Sequence, residues 1–203
     1  MRRLFVTGIG TDIGKTVVSA VLSEALEADY WKPIQCGELE NTDSMRVQNW
    51  ISNKKTVIHQ EAYRLNGFMS PHAAAKLDNV EIELKAIVLP DTSNDIIIEG
   101  AGGLMVPLNN HQLVIDLIAH LEAETIVVSH NYLGSINHTL LTLEVLENRG
   151  IQIAGIIFNG EENPDTESVI LESTGVKQLG RIGWEDSIDS EVVSKYAAQF
   201  TTI

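Results

Sequence analysis

Lys15 and Thr16 close a run with three glycines, Gly8-Ile9-Gly10-Thr11-Asp12-Ile13-Gly14-Lys15-Thr16. A glycine-rich turn of this kind aims consecutive backbone N–H groups at phosphate oxygens, and the start of a following helix adds its positive end. Lys15 would then reach the outer phosphates, and the Thr16 hydroxyl would ligate magnesium. A plain strand-to-helix turn accounts for the glycines. It does not account for a lysine in the first helical turn, where the cation opposes the helix dipole. Five residues separate Gly8 from Gly14, one more than in the simple Walker A pattern, so this loop opens differently.

Further reactive side chains stand where apolar runs end. Ile96-Ile97-Ile98-Glu99 is followed by Gly100-Ala101-Gly102-Gly103. A carboxylate ending a strand beside a phosphate loop holds or orients magnesium in P-loop enzymes, and the glycines let a ligand or backbone approach closely. The other reading of Glu99 is a solvent-facing acid. Lys32, in Trp31-Lys32-Pro33, is either a solvated surface lysine or a second cation facing a transferred phosphoryl group or an oxyanion. From its spacing, Asp43 in Asn41-Thr42-Asp43-Ser44 reads as a helix N-cap, with a second metal carboxylate as the alternative. Asn159, after Ile156-Ile157-Phe158, either reads a base edge or makes a turn. Cys36 has no base to activate it as a nucleophile. The six histidines show no zinc spacing, and His72 and His138 sit near helix starts.

These residues need a scaffold that gathers strand ends. Continuous apolar runs at 4–7, 30–33, 96–99, 126–129, 153–158 and 179–182 predict parallel strands buried on both faces. Residues 15–28 form an expected helix with Val18, Val21, Leu22, Ala25 and Leu26 on one stripe. A second, 137–148, carries Leu140, Leu141, Leu143, Val145 and Leu146 and stops at Arg149-Gly150. Ser70-Pro71 supplies an N-cap and a first-turn proline for a third, and 159–165 reads as an exposed polar loop. The alternation predicts an α/β fold, a doubly wound and mostly parallel sheet flanked by helices, with ligands at the carboxyl ends of the strands. A chain of 203 residues is expected to form one P-loop α/β domain, 1–203.

No apolar run approaches the roughly 18 residues of a membrane span, and Met1-Arg2-Arg3 leads into a strand without a signal segment. A lone cysteine excludes an internal disulfide and suits a reducing cytosol, so a cytoplasmic protein with no membrane partner is expected. A net charge of −14 argues against nucleic acid as a partner. A nucleotide must then be held by a local positive site, for which Lys15 and Lys32 are the candidates.

The blocks from Phe5-Val6-Thr7-Gly8 to Gly14-Lys15-Thr16, then Lys32-Pro33, Asp43, Ser70-Pro71-His72, Glu99 to Gly103, Gly134-Ser135-Ile136-Asn137-His138 and the strand ending at Asn159 resemble the dethiobiotin synthetases along nearly the whole chain. The five-residue gap in the loop is characteristic of that family. The resemblance implies an ATP- and Mg2+-dependent ligase of biotin synthesis. Such enzymes carboxylate 7,8-diaminononanoate with CO2 and close a ureido ring, through a carbamate and a carbamic–phosphoric anhydride. It implies catalytic roles for Thr11, Asp12, Lys15 and Lys32, and magnesium ligation by Thr16, Asp43 and Glu99. The nucleotide would lie along Asp12, Ile13, Gly14, Lys15, Thr16 and Val17 and beside Gly100, Ala101 and Gly102. Asn159 and Gly160, with Gly183, Trp184 and Glu185, would hold the adenine. Cys36 would meet the substrate, and Gly134, Ser135, Ile136 and Asn137 would receive its carboxylate across a homodimer interface.

This chain departs from the family pattern in three places. Cys36 stands where a hydroxyl residue is common, Gly183 stands where a proline is common, and the segment 37–43 is short. The strongest rival is a nucleotide-switch ATPase of the partitioning and cell-division type. Those proteins share the expected fold but carry a signature lysine early in the loop, where this chain has Gly10.

Overall fold

A computed structural model describes residues 1–203. Its strands are β1 (Arg3–Gly8), β2 (Asp29–Trp31), β3 (Ile34–Cys36), β4 (Ile58–His59), β5 (Tyr63–Leu65), β6 (Ile96–Glu99), β7 (Glu124–His130), β8 (Ile153–Asn159) and β9 (Gln178–Ile182). The helices are α1 (Lys15–Leu26), α2 (Asp43–Trp50), α3 (Pro71–Leu77), α4 (Val114–His120), α5 (Ser135–Asn148), α6 (Pro164–Thr174) and α7 (Ser190–Ala197). Seven strands make one sheet in the order β4-β2-β6-β1-β7-β8-β9, with every pairing parallel. The remaining two, β3 and β5, form a small parallel sheet of their own.

Successive side chains of a strand point to opposite faces. Leu4, Val6, Ile97, Ile126, Val128 and Ile157 accordingly join one core, together with Val18, Val21 and Leu22 of α1 and Tyr196 of α7. Phe5, Ile96, Ile98, Val127, Ile156 and Phe158 join the other, with Leu143 and Leu146 of α5 and Ile170 of α6. Burial on both faces explains why these strands read as unbroken apolar runs. The register matters for chemistry. β1 pairs Val6 with Glu99 and Gly8 with Val128, so the glycine loop, Glu99 and the end of β7 share one edge. Asn159 is paired with His130 on one side and Ile182 on the other, at the same edge. No helix is long and apolar enough to cross a membrane.

Several local expectations are corrected. The strand expected over 30–33 stops at Trp31, because Pro33 has no N–H for the ladder; Pro33 O instead accepts from Tyr63 N, at the start of the small sheet. α1 ends at Leu26, where Glu27 turns left-handed at φ 50° and Ala28 N closes the turn on Ser23 O. Asp43 is not the cap of α2. Thr42 is, its hydroxyl accepting from Met45 N, and Asp43 is the first helical residue. Pro71 does open α3, but the Ser70 hydroxyl makes no cap bond and lies 3.1 Å from His72 Nδ1. The loop expected over 159–165 is shorter, since Asn163 caps α6 and Pro164 takes its first position.

Candidate active site

The loop after β1 is shaped by two left-handed residues, Asp12 at φ 56° and Gly14 at φ 90°. Only glycine fits at 14, where a Cβ would stand 2.2 Å from Asn159 Nδ2. At position 8 a Cβ would press on Gly10 O and Lys15 Cγ at 3.1 and 3.3 Å, so Gly8 lets the loop curl over the lysine stem. Gly10 meets nothing closer than 3.6 Å and is not required by packing.

Lys15, 7% exposed, points back into this loop and donates to Gly10 O at 2.9 Å. Burial and then the Lys32 charge lower its pKa to about 8, against opposing pulls from Glu99, Asp43 and Asp12. It is a lysine without a carboxylate partner.

Lys32 is in the opposite state. It is buried at the end of β2, not solvated, with Nζ 2.7 Å from Asp43 Oδ2, 2.8 Å from Glu99 Oε1 and 3.1 Å from Gly100 O. Burial alone would lower its pKa, but the Glu99 and Asp43 carboxylates outweigh that and hold the ammonium well above the ordinary lysine value. Burial likewise pushes Asp43 up, and Lys32, the Thr16 hydroxyl and Arg46 reverse it, leaving the carboxyl below its usual range. Glu99 is 1% exposed and accepts from Thr16 Oγ1 and from the Tyr30 hydroxyl, both at 2.9 Å. The solvent-facing alternative for Glu99 is therefore excluded.

Asp43 and Glu99 thus converge on one cation, here the Lys32 ammonium, and the Thr16 hydroxyl adjoins it by donating to Glu99 Oε1. The donor set is two carboxylates and a hydroxyl, the hard oxygen ligands that magnesium takes. These residues fit a magnesium ion.

A cavity of about 630 Å³ opens from this point. Among the residues singled out from sequence, it is lined by Thr11, Asp12, Ile13, Gly14, Lys15, Thr16, Val17, Lys32, Cys36, Asp43, Glu99, Ala101 and Gly102. Burial pushes the Cys36 thiol up to about 11, so it is neutral near pH 7 and suited to contact, not attack. Gly100 lies behind the lining, where a Cβ would strike the Phe5 ring at 2.7 Å.

The remaining candidates stand apart from that cavity. Asn159 reaches the loop directly, its Nδ2 donating to Ile13 O at 3.0 Å, and Gly160 follows it. Gly183, Trp184 and Glu185 follow β9; Trp184 is 68% exposed, and Glu185 accepts from Lys195 and from the Tyr196 hydroxyl at 2.6 and 2.7 Å. Gly134, Ser135, Ile136 and Asn137 form the start of α5, with Ser135 buried and its hydroxyl unpartnered. Tyr30, Gln35, Arg46 and Trp50 also belong to this site and carry no signal of it in the sequence. Tyr30 is hidden inside a strand that reads as pure core. Gln35 orients the start of α2 by accepting from Asp43 N at 3.3 Å. Arg46 and Trp50 lie on α2, a polar helix whose periodicity gave little signal.

A family model described as an AAA domain matches residues 2–192. The chain is 55% identical to a protein of Christiangramia forsetii named ATP-dependent dethiobiotin synthetase BioD, covering 97% of this chain and 94% of that one. A Cytophaga hutchinsonii protein of the same name is 53% identical over 98% and 97%, and one from Rhodopseudomonas palustris 43% over 98% and 94%. Among solved structures, the cell-division ATPase MinD of Pyrococcus furiosus superposes with a TM-score of 0.63 at 17% identity, covering 98% of each chain. A ParA family ATPase of Chlorobium tepidum does so at 0.59 and 14%, over 98% and 99%. At those identities the likeness is one of fold.

Proposed function

The chain belongs to the ATP-dependent dethiobiotin synthetase family, and from that premise we propose how its residues carry out the family's reaction. The protein is an ATP-dependent ligase of biotin synthesis. It takes 7,8-diaminononanoate and CO2 to dethiobiotin, with ATP converted to ADP and phosphate. One amine captures CO2 as a carbamate, a carbamate oxygen attacks the γ-phosphorus, and the second amine attacks the resulting anhydride carbonyl and expels phosphate.

The observation that carries this reading is the contrast between the two lysines, one unpaired and one held between carboxylates. Lys15, unpaired and with its pKa lowered, is placed to take up the γ-phosphate charge. Lys32, held between Asp43 and Glu99, is placed to face the carbamate and the transferred phosphoryl group once those carboxylates have another cation. Magnesium held by Thr16, Asp43 and Glu99 would supply that second cation and neutralise charge on the phosphate oxygens. Phosphoryl transfer is mainly a matter of alignment and charge, and these residues provide both. Thr11 and Asp12 line the cavity on the side of the reacting amine, and Cys36 meets the substrate stem. Asn159, Gly160 and the segment 183–185 flank the nucleotide base. The start of α5 suits the substrate carboxylate, since the N–H groups of Ile136 and Asn137 have no acceptor at this helix end, whereas the Ser135 N–H is taken by Tyr132 O and the Ser135 hydroxyl is buried. As this end lies outside the cavity lining, we place it at the site of a second copy in a homodimer. We also place the protein in the cytoplasm.

The partitioning-ATPase alternative is matched in fold only. The deciding experiment gives the purified protein 7,8-diaminononanoate, Mg-ATP and labelled bicarbonate. Label should enter a cyclic urea with ADP released in proportion; ATP hydrolysis without label capture rejects the ligase reading.

A further inference from the structure

Where β8 leaves the sheet, three successive carbonyls lose the prospect of a strand partner, and each is taken by a side chain from β9 or from the end of β7 and the residue after it. His130 Nδ1 donates to Asn159 O at 2.8 Å, Arg181 Nη1 to Gly160 O at 3.2 Å, and Asn131 Nδ2 to Glu161 O at 2.9 Å. Since a carbonyl only accepts, the imidazole proton is on Nδ1. The His130 ring lies where only glycine can follow Asn159: at Gly160, with φ 94°, a Cβ would stand 2.6 Å from ring Cε1 and Nδ1. The Gly160 N–H is taken as well, by Ile182 O at 2.8 Å.

Two of the three donors are themselves held from below. Glu167 is 7% exposed and accepts from Asn131 Nδ2 at 2.6 Å and from Asn163 N at 3.0 Å, and it forms an ion pair with Arg181. The Arg181 guanidinium also lies over the Phe158 ring, 5.8 Å from its centroid. A short exposed connection would fold with far less. The ends of β7 and β9 spend three half-buried polar side chains on three consecutive peptide oxygens.

The beneficiary of this arrangement is the Asn159 side chain. Its Nδ2 donates to Ile13 O, which can only accept, so Oδ1 is fixed as the remaining acceptor, beside Gly14. An acceptor there selects a base with an exocyclic amine over one with a keto oxygen. We infer that His130, Asn131 and Arg181 are positioning residues for the nucleotide base, holding the carbonyls of 159–161 so that Asn159 presents Oδ1 to an exocyclic amine. The inference rests on the reading of Asn159 as a base contact.

The test compares full-length wild type with His130→Ala, His130→Asn, Arg181→Lys and Asn159→Ala in steady-state turnover with ATP and with GTP. His130→Ala should raise KM for ATP about five- to tenfold and lower the preference for ATP over GTP by a similar factor. Its kcat and its KM for the diamine should stay within about twofold. His130→Asn keeps a donor near the Nδ1 position and should restore most of both values. Arg181→Lys keeps the charge facing Glu167 but not the forked donor, and should weaken ATP in the same sense, which provides a second readout if His130→Ala does not fold. A lower melting temperature with KM for ATP and the ATP-to-GTP ratio unchanged overturns the inference. If Asn159→Ala moves those two quantities and the His130 and Arg181 variants do not, the positioning role fails while the base contact stands. If no variant moves them, the base contact itself is wrong and the inference falls with it.

Discussion

Replacing Lys32 with methionine keeps most of the side-chain volume but removes the ammonium between Asp43 and Glu99, 2.7 and 2.8 Å away. Two carboxylates then face each other in a site where Glu99 is 1% exposed. Removing one partner from a buried ion pair costs about 3–5 kcal/mol, because the remaining charge is left uncompensated. The Asp43 side chain is 16% exposed, so water softens the loss, and we expect about 3 kcal/mol at pH 7. The pH dependence has a definite sign. Lys32 is held above its unfolded value, so its contribution is complete below about pH 10.4 and is lost as pH rises through the folded value. Asp43 is held below its unfolded value, so its contribution is present above about pH 3.9 and is lost as pH falls. The difference between wild type and variant should therefore be full at pH 7 and shrink toward pH 3. Magnesium should stabilise the variant more than wild type, where it must displace an ammonium. Binding at ten times Kd adds about 1.4 kcal/mol. Urea unfolding followed by circular dichroism at pH 7 and near pH 3.5, with and without magnesium chloride, measures all of this. A loss below about 1 kcal/mol at pH 7, or the same loss at both pH values, would mean that Lys32 does not compensate the two carboxylates. The variant should also bind ATP yet not turn over; normal turnover would return Lys32 to a structural role.

Lys15 makes a separate pH prediction. Phosphates favour its charged form, so with a free-enzyme pKa of about 8, ATP affinity should fall by up to about tenfold per pH unit above that value. Calorimetry at pH 8.5 in two buffers of different ionisation enthalpy should show proton uptake on binding, and none would contradict it. Gly14→Ala puts a methyl group on the Asn159 amide at a left-handed position. It should cost about 1–3 kcal/mol in backbone strain and most of the ATP affinity, read by unfolding and nucleotide titration. Thr42→Ala removes the cap of α2 and should cost about 1 kcal/mol with turnover largely kept, whereas Asp43→Asn should spare the helix and abolish turnover. Equal effects of those two changes would mean that the cap and the site carboxylate had been wrongly separated.

Features set by near neighbours are legible along the chain. The glycine loop, its lysine and its threonine lie within nine consecutive residues, and strand–loop–helix context is enough to read them. The parallel sheet was equally legible, because burial on both faces writes itself as unbroken apolar runs. Glu99 and Lys32 were visible as polar residues at the ends of such runs, but whether either faced solvent was not. That depended on β2 lying beside β6 and on α2 bringing Asp43 over both, contacts between residues far apart in the chain. The same limit applies to Asp43. Spacing favoured a cap, and only the packed structure assigns the cap to Thr42 and turns the Asp43 carboxylate toward Lys32. Tyr30, buried in a core strand, could be recognised as a partner of Glu99 only once β2 and β6 were paired. The bonds from His130 and Asn131 to the 159–161 segment span about thirty residues, and no periodicity announces them. Apolar patterning and turn chemistry depend on near neighbours, so they can be read along the chain. A polar side chain's charge state, exposure and hydrogen-bond partners depend on whatever the fold places against it, and those were decided by the tertiary structure.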